Sequence, residues 1–245
     1  MILANHGIVS SSGGLPPSTL LTNLYAVYKA ENNSNDSLGA YNGTAQGGLT
    51  YSTGKSGNAF TFNGSNAYVN YADNSFNFTG DFSVNLWVYF NSSPSGTQHD
   101  VIQSVRQNSI NTGWKFIVRL GKPEFQIYNN SAQFVAWYTA GLDLVANTWY
   151  NLSIVKKTGQ APTIMSNGTY YTVSVRASNS SITEAQYTSP CYSVMGAAKY
   201  DTGSLGNYMP SNSKLDEVAL WNKALTTQEE TDLYNSGAGK FYPIF

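Results

Sequence analysis

The chain has 245 residues, only 11% of them charged, with thirteen Lys+Arg against fourteen Asp+Glu. Charge so sparse and so evenly balanced excludes a broad basic nucleic-acid surface, which needs clustered cations to displace phosphate counterions. The single Cys191 excludes an internal disulfide framework, His6 and His99 are too few for a His/Cys zinc cluster, and no window approaches the ~18 apolar residues of a membrane span. Polarity comes instead from 26 Asn with Ser, Thr and 22 Gly, and 18 Tyr lift the aromatic share to 14%; this mixture favours short strands joined by tight turns. Pro190 and Tyr192 flank Cys191 and supply no base, so the thiol reads as buried and inert.

In chain order, residues 1–20 come first as an arm. Gly13, Gly14, Pro16 and Pro17 break regular structure there, because glycine adds chain entropy and proline lacks a donor. The stretch lacks the basic start and continuous apolar core of a signal peptide. Its apolar residues, Met1 to Ala4 and Ile8 to Val9, suit docking on an assembly partner or a second copy of the chain. Residues 21–245 then read as one domain.

Strands are expected at 24–29, 58–63, 67–71, 82–90, 100–105, 114–120, 123–129, 132–139, 148–156, 170–176 and 214–221. The clearest is the nine-residue alternation in which Phe82, Val84, Leu86, Val88 and Phe90 face one way and Ser83, Asn85, Trp87 and Tyr89 the other. Trp114, Phe116, Val118 and Leu120 alternate likewise with Lys115, Ile117 and Arg119. Turn signals such as Asn63-Gly64 and Asn167-Gly168 separate the runs. Near the end, Thr226 and Glu229 have capping-box spacing for a helix through Leu233 and Tyr234 that stops at Gly237. The fold class expected is all-β: the strand spacing is that of an antiparallel sandwich or barrel, with a short C-terminal helix.

Five ordered segments carry a family likeness: GNAFTFNGSNAYVNY (57–71), TGDFSVNLWVYF (79–90), NTWYNLSIVKK (147–157), SNG (166–168) and KLDEVALWNKALTTQEETDLYNSG (214–237). Together with LYAVYKAENNSNDSLGAYNGT (24–44) they resemble laminin-G-like domains of the concanavalin A-like lectin/glucanase superfamily. The resemblance implies an antiparallel jelly-roll β-sandwich of the concanavalin A-like type and leaves function open, because the fold hosts lectins, adhesion modules, hydrolases and virion parts. Hydrolase members of the superfamily carry Glu-x-Asp-x-x-Glu on one strand, and none of the fourteen acids here forms it, so no enzyme activity and no catalytic residue is expected.

The resemblance also implies a cation, Ca²⁺, where Asp36 of the Asp-Ser-x-Gly loop and Asp216 of the last strand meet; the alternative is that both are hydrogen-bonded turn acids. A glycan-binding surface is the other implication. The residues read as outward-facing are Asn85, Arg119, Gln126, Tyr128, Gln133 and Trp137, with Tyr138 beside a loop. Of these, Asn85, Arg119, Gln126, Tyr128, Trp137 and Tyr138 are the candidate sugar contacts. Trp87, although on an outward face, reads as covered, since Trp is highly buried on average. Trp149 and Trp221 occupy positions that the family uses for packing.

The function expected is a non-enzymatic, displayed structural or adhesion protein with a lectin-like sandwich. The sequence style resembles head-fibre or tail-associated proteins of bacteriophages, which implies a virion component docked through the arm at the virion surface. The alternative is an extracellular or cell-surface carbohydrate-binding module, and the third reading, ranked last, is a glycoside hydrolase whose acids converge from different strands. Glycans, assembly proteins and further copies of the chain are the partners implied.

Overall fold

The computed structural model describes residues 19–96, 98–107, 111–129 and 133–245. Residues 1–18, and with them nearly all of the expected arm, lie outside the described residues. The first half of the chain forms β1 (Leu24–Tyr28), β2 (Thr44–Gln46), β3 (Thr50–Thr53), β4 (Asn58–Thr61), β5 (Tyr68–Asn70), β6 (Phe82–Tyr89), β7 (Gln98–Arg106), β8 (Thr112–Arg119) and β9 (Lys122–Tyr128). The second half forms β10 (Phe134–Thr139), β11 (Trp149–Lys156), β12 (Thr163–Ser166), β13 (Thr169–Tyr171), β14 (Val173–Ser178), β15 (Tyr192–Met195), β16 (Ala198–Lys199), β17 (Leu205–Gly206) and β18 (Lys214–Trp221), then α1 (Thr227–Tyr234).

Two eight-stranded antiparallel sheets make the sandwich. Sheet A runs β13-β12-β11-β6-β18-β4-β3, with β1 also on β18; sheet B runs β14-β10-β9-β8-β7-β15-β5-β2. The alternation read from sequence sets the core. Phe82, Val84, Leu86, Val88 and Phe90 of sheet A meet Trp114, Phe116, Val118, Phe125 and Ile127 of sheet B in one cluster. Phe82 and Trp114 join the two layers with ring centroids 5.2 Å apart. Leu120 leaves the pattern: it is half exposed with φ +54°, the left-handed turn before Gly121 that reverses the chain into β9.

The expected strand 170–176 is two strands. Thr172 separates β13 of sheet A from β14 of sheet B, and its carbonyl accepts from the Ala140 N–H at 2.8 Å. This short segment carries the chain from one layer to the other.

The outer face of sheet A is not open to solvent. Leu20, Val27, Val155, Ala219, Trp221, Leu225, Leu233 and Phe245 form a second cluster that packs α1 and the C-terminal segment onto that sheet. Trp221 Nε1 donates to the Leu20 carbonyl at 2.7 Å, so the chain is already packed against the sandwich at Leu20. The capping box of α1 forms as spaced: Thr226 Oγ1 accepts from the Glu229 N–H, and Glu229 Oε2 accepts from the Thr226 N–H at 2.8 Å. The helix runs through Tyr234 as expected, and Asn235, two residues before Gly237, takes the left-handed cap position at φ +47°. Asparagine tolerates this conformation because its short polar side chain bonds locally; here Nδ2 donates to the Gly239 carbonyl at 3.1 Å.

Candidate functional site

Strands β7, β8, β9 and β10 lie side by side in sheet B, and their outward residues form one polar field. Register places Lys115 opposite Gln126, Ile117 opposite Glu124, and Arg119 opposite Gln98. A bulge between Asp100 and Ile102 inserts one residue in β7, which keeps both Asp100 and Gln103 on this face despite their odd spacing. Across β9 and β10, Phe134 pairs with Tyr128, Ala136 with Gln126 and Tyr138 with Glu124.

These side chains form a connected network. Gln98 Nε2 donates to Asp100 Oδ1 at 2.5 Å, and Lys115 Nζ lies 3.5 Å from Asp100 Oδ2. Arg119 donates to Gln98 Oε1, Gln126 donates to Glu124 Oε1, and Tyr128 donates to Gln126 Oε1. Arg176 on β14 donates to Glu124 Oε2 and stacks its guanidinium over the Tyr138 ring, 4.4 Å from the centroid. Each buried charge is paired, as burial demands. Burial works to discharge Lys115, but Asp100 and the nearby tyrosines outweigh it and hold its pKa above the ordinary value, so the ammonium stays charged. Burial also raises the Tyr128 phenol, which remains neutral and able to donate.

Above this network is a pocket of about 380 Å³. Lys115, Arg119, Gln126 and Tyr128 contribute to its lining from β8 and β9, and Tyr200 and Asn207 close it from the β16–β17 hairpin. Asn207 Nδ2 donates to Tyr200 Oη at 3.2 Å, and the Asp100 N–H donates to the Asn207 carbonyl at 2.8 Å, which ties the hairpin to β7. The volume falls in the usual range for small-ligand sites. Chemically it offers amides and hydroxyls on an aromatic surface, suited to a polyhydroxylated ligand.

Three of the expected contacts, Arg119, Gln126 and Tyr128, therefore converge. Tyr138 lies on the same face, across β9–β10, engaged by Arg176. Two expectations are corrected. Trp137 pairs with Phe125 and sits in the main core, because the loop between β9 and β10 sets the parity so that Phe134, Ala136 and Tyr138 face outward. Asn85 is in the other sheet, buried under the second layer and locked in reciprocal amide bonds with Asn151 at 3.0 and 3.2 Å. Trp87 is covered as expected, stacked against Tyr234 of α1 with Lys55 Nζ 4.3 Å from its ring centre. Gln98, Asp100, Glu124, Arg176, Tyr200 and Asn207 were not singled out from sequence. The spacing Glu124, Gln126, Tyr128 on one strand carried a signal, but the contributions of β7, β14 and the hairpin did not.

The two expected cation ligands hold different loops. Asp36 Oδ1 accepts from the N–H groups of Val27 and Leu38 at 2.9 and 3.0 Å, and Oδ2 accepts from Ala40 and Tyr41 at 3.0 and 3.1 Å. Asp216 Oδ2 accepts from Lys55 and Ser56 at 2.7 and 3.0 Å, and Oδ1 from Glu217 at 2.8 Å. Lone pairs aimed at backbone donors are not presented to a cation, and among the described residues no group of three or more His, Cys, Asp or Glu could hold a metal. As a pair, Asp36 and Asp216 do not fit a shared Ca²⁺ ion.

A family model described as the concanavalin A-like lectin/glucanases superfamily matches residues 63–229. No curated protein matches the chain. Among solved structures, the binding domain of Paraclostridial Mosquitocidal Protein 1 aligns with a TM-score of 0.65 at 17% identity, over 88% of this chain and 52% of that one. The receptor-binding domain of a botulinum neurotoxin C/D mosaic serotype aligns at 0.64 and 15% identity, over 87% and 51%. Domain 4 of AbnA, a GH43 extracellular arabinanase from Geobacillus stearothermophilus solved in complex with arabinotriose, aligns at 0.63 and 16% identity, over 89% and 98%. The chain thus spans about half the length of the toxin domains. At such identities these likenesses establish the shared fold. Among the described residues no helix is long and apolar enough to cross a membrane.

Proposed function

The chain belongs to the concanavalin A-like lectin/glucanase superfamily, and from that premise we propose that it is a glycan-binding domain acting without turnover through the outward face of sheet B. The observation that carries this reading is the pocket over β8 and β9, where Gln126, Tyr128, Tyr200 and Asn207 offer hydrogen bonds and ring faces together. Glu124, the carboxylate under its floor, is fully buried with both oxygens engaged, which supports binding rather than hydrolysis. That a domain of the same fold was solved with arabinotriose adds support.

The setting we propose is an outward-displayed part of a larger assembly, a virus particle in the first instance and a cell surface as the alternative. Its support is compositional: a charge-poor chain rich in Asn, Ser and Thr, with a Gly/Pro-containing arm.

An oligosaccharide array followed by calorimetry on the full chain tests the binding reading. At least one sugar should bind; Tyr200→Ala should weaken it roughly tenfold or more while the fold melts normally, and Gln126→Leu should weaken it as much but also lower the melting temperature, because it strands Glu124 and Tyr128. Absence of binding to every sugar, or binding untouched by both substitutions, would overturn it.

A further inference from the structure

The pocket's charge is one-sided. Among the described residues its only charged lining residues are Lys115 and Arg119, both cations, and no carboxylate lines it. The acids that balance them, Asp100 and Glu124, lie beneath with no exposure. Three cations, Lys115, Arg119 and Arg176, share these two carboxylates. Glu124 is bonded by Gln126 and Arg176, and the Arg119 Nη1 stands 3.9 Å from it. Arg119 has five N–H donors, gives one to Gln98, and its side chain is 34% exposed. Lys115 approaches Asp100 at 3.5 Å and interacts with the Tyr128 hydroxyl, so it contributes a positive field beside Arg119.

From this arrangement we infer that the site takes an anionic saccharide, a sugar bearing a carboxylate or sulfate group, with the anion against Arg119 in the field of Lys115 and the ring beside Tyr128 and Tyr200. A guanidinium fork binds planar or tetrahedral oxyanions through paired N–H donors. The sugar part is argued by the uncharged lining: the amides of Gln98, Gln126 and Asn207 stand beside the Tyr128 and Tyr200 rings, a set of hydrogen-bonding groups and ring faces that a bare anion would leave unused. Tyr128 stacks with Phe134, ring centroids 6.1 Å apart, which stiffens the aromatic side. This inference rests on the glycan-binding reading and narrows it to a ligand class.

Calorimetry on the full chain with four probes tests it: trigalacturonate, a sulfated chondroitin disaccharide, neutral galactotriose and inorganic sulfate. At least one anionic sugar should bind roughly ten- to a hundredfold tighter than galactotriose, with the advantage shrinking as salt rises. The better of the two anionic probes identifies the group as carboxylate or sulfate. Arg119→Gln should remove the preference, and Arg119→Lys should restore part of it, with thermal melts confirming that both variants fold. Galactotriose binding as tightly as the anionic sugars would overturn the inference and leave the glycan reading standing. Inorganic sulfate binding as tightly as the sulfated sugar would also overturn it, since the ring would contribute nothing. Failure of all three sugars would overturn this inference, and the glycan reading would fall with it only where the oligosaccharide array is blank as well.

Discussion

Lys115 and Asp100 form an ion pair beneath the pocket, Nζ to Oδ2 at 3.5 Å, with side chains 5% and 0% exposed. Neither charge can be removed singly without stranding the other in a low-dielectric site. Asp100→Ala should therefore cost about 3–5 kcal/mol in urea unfolding, whereas Asp100→Leu combined with Lys115→Met should recover most of that loss. Lys115 has a raised pKa, so the pair's contribution is present through neutral pH and is lost only as pH rises through the folded-state value. A single Asp100→Ala change as mild as an ordinary surface substitution would show that the pair is hydrated.

Leu86 has no exposure and sits mid-strand in the core, so Leu86→Ala should cost about 2–5 kcal/mol. Ser83 is on the opposite face and is also fully buried. Its hydroxyl donates to the Lys223 carbonyl at 2.9 Å and accepts from the Leu225 N–H at 2.9 Å. Ser83→Ala should thus cost about 1–3 kcal/mol through the stranded partners. Chemical denaturation of both variants checks the pair. A neutral Ser83→Ala would mean that the second layer does not close over sheet A.

Glu229 anchors the start of α1. Burial pushes its carboxyl up, but bonds from Lys223, Thr19 and the Thr226 N–H bring it down to about 2. A depressed carboxylate stabilises above its ordinary value of 4.5, and this contribution is lost as pH falls toward 2. Glu229→Gln should flatten that limb of the stability–pH curve. Thr226→Ala should separately cost about 0.5–2 kcal/mol at neutral pH. Acid melts in which wild type and Glu229→Gln run parallel would contradict this.

Asp216 and Glu217 behave oppositely. Burial raises Asp216 to about 7 despite its three backbone donors, and burial plus the Asp216 charge raises Glu217 to about 8, with Lys29 opposing. Glu217 adopts φ +48° at a bulge in β18, and its Oε1 has no partner. Raised carboxylates stabilise fully below their unfolded values, and that stability is lost as pH rises through about 7 to 8. Glu217→Gln should therefore be more stable than wild type at pH ~9 and nearly equal to it at pH ~5, read from melting temperatures at the two pH values.

Period-two alternation by itself determined which residues of β6 and β8 face the core, because side-chain direction within a strand is a local property. Phe82, Leu86, Trp114 and Phe116 were legible for that reason, and so were Thr226 and Glu229, whose capping depends on spacing alone. The sequence also placed Arg119, Gln126 and Tyr128 on one outward face. It did not place Trp137, because strand parity across a loop depends on how many residues the turn consumes, and pairing with Phe125 settled it. Nor could it separate Asn85 from the pocket, since both faces of the sandwich read as outward until α1 and the C-terminal segment cover one of them. Asp100 of β7 and Arg176 of β14 join the network beneath the pocket through the order of strands in sheet B, and Tyr200 reaches the lining from a separate hairpin. Strand order is a non-local quantity, set by which apolar faces bury against each other, so the site's full membership existed only once the two sheets had packed.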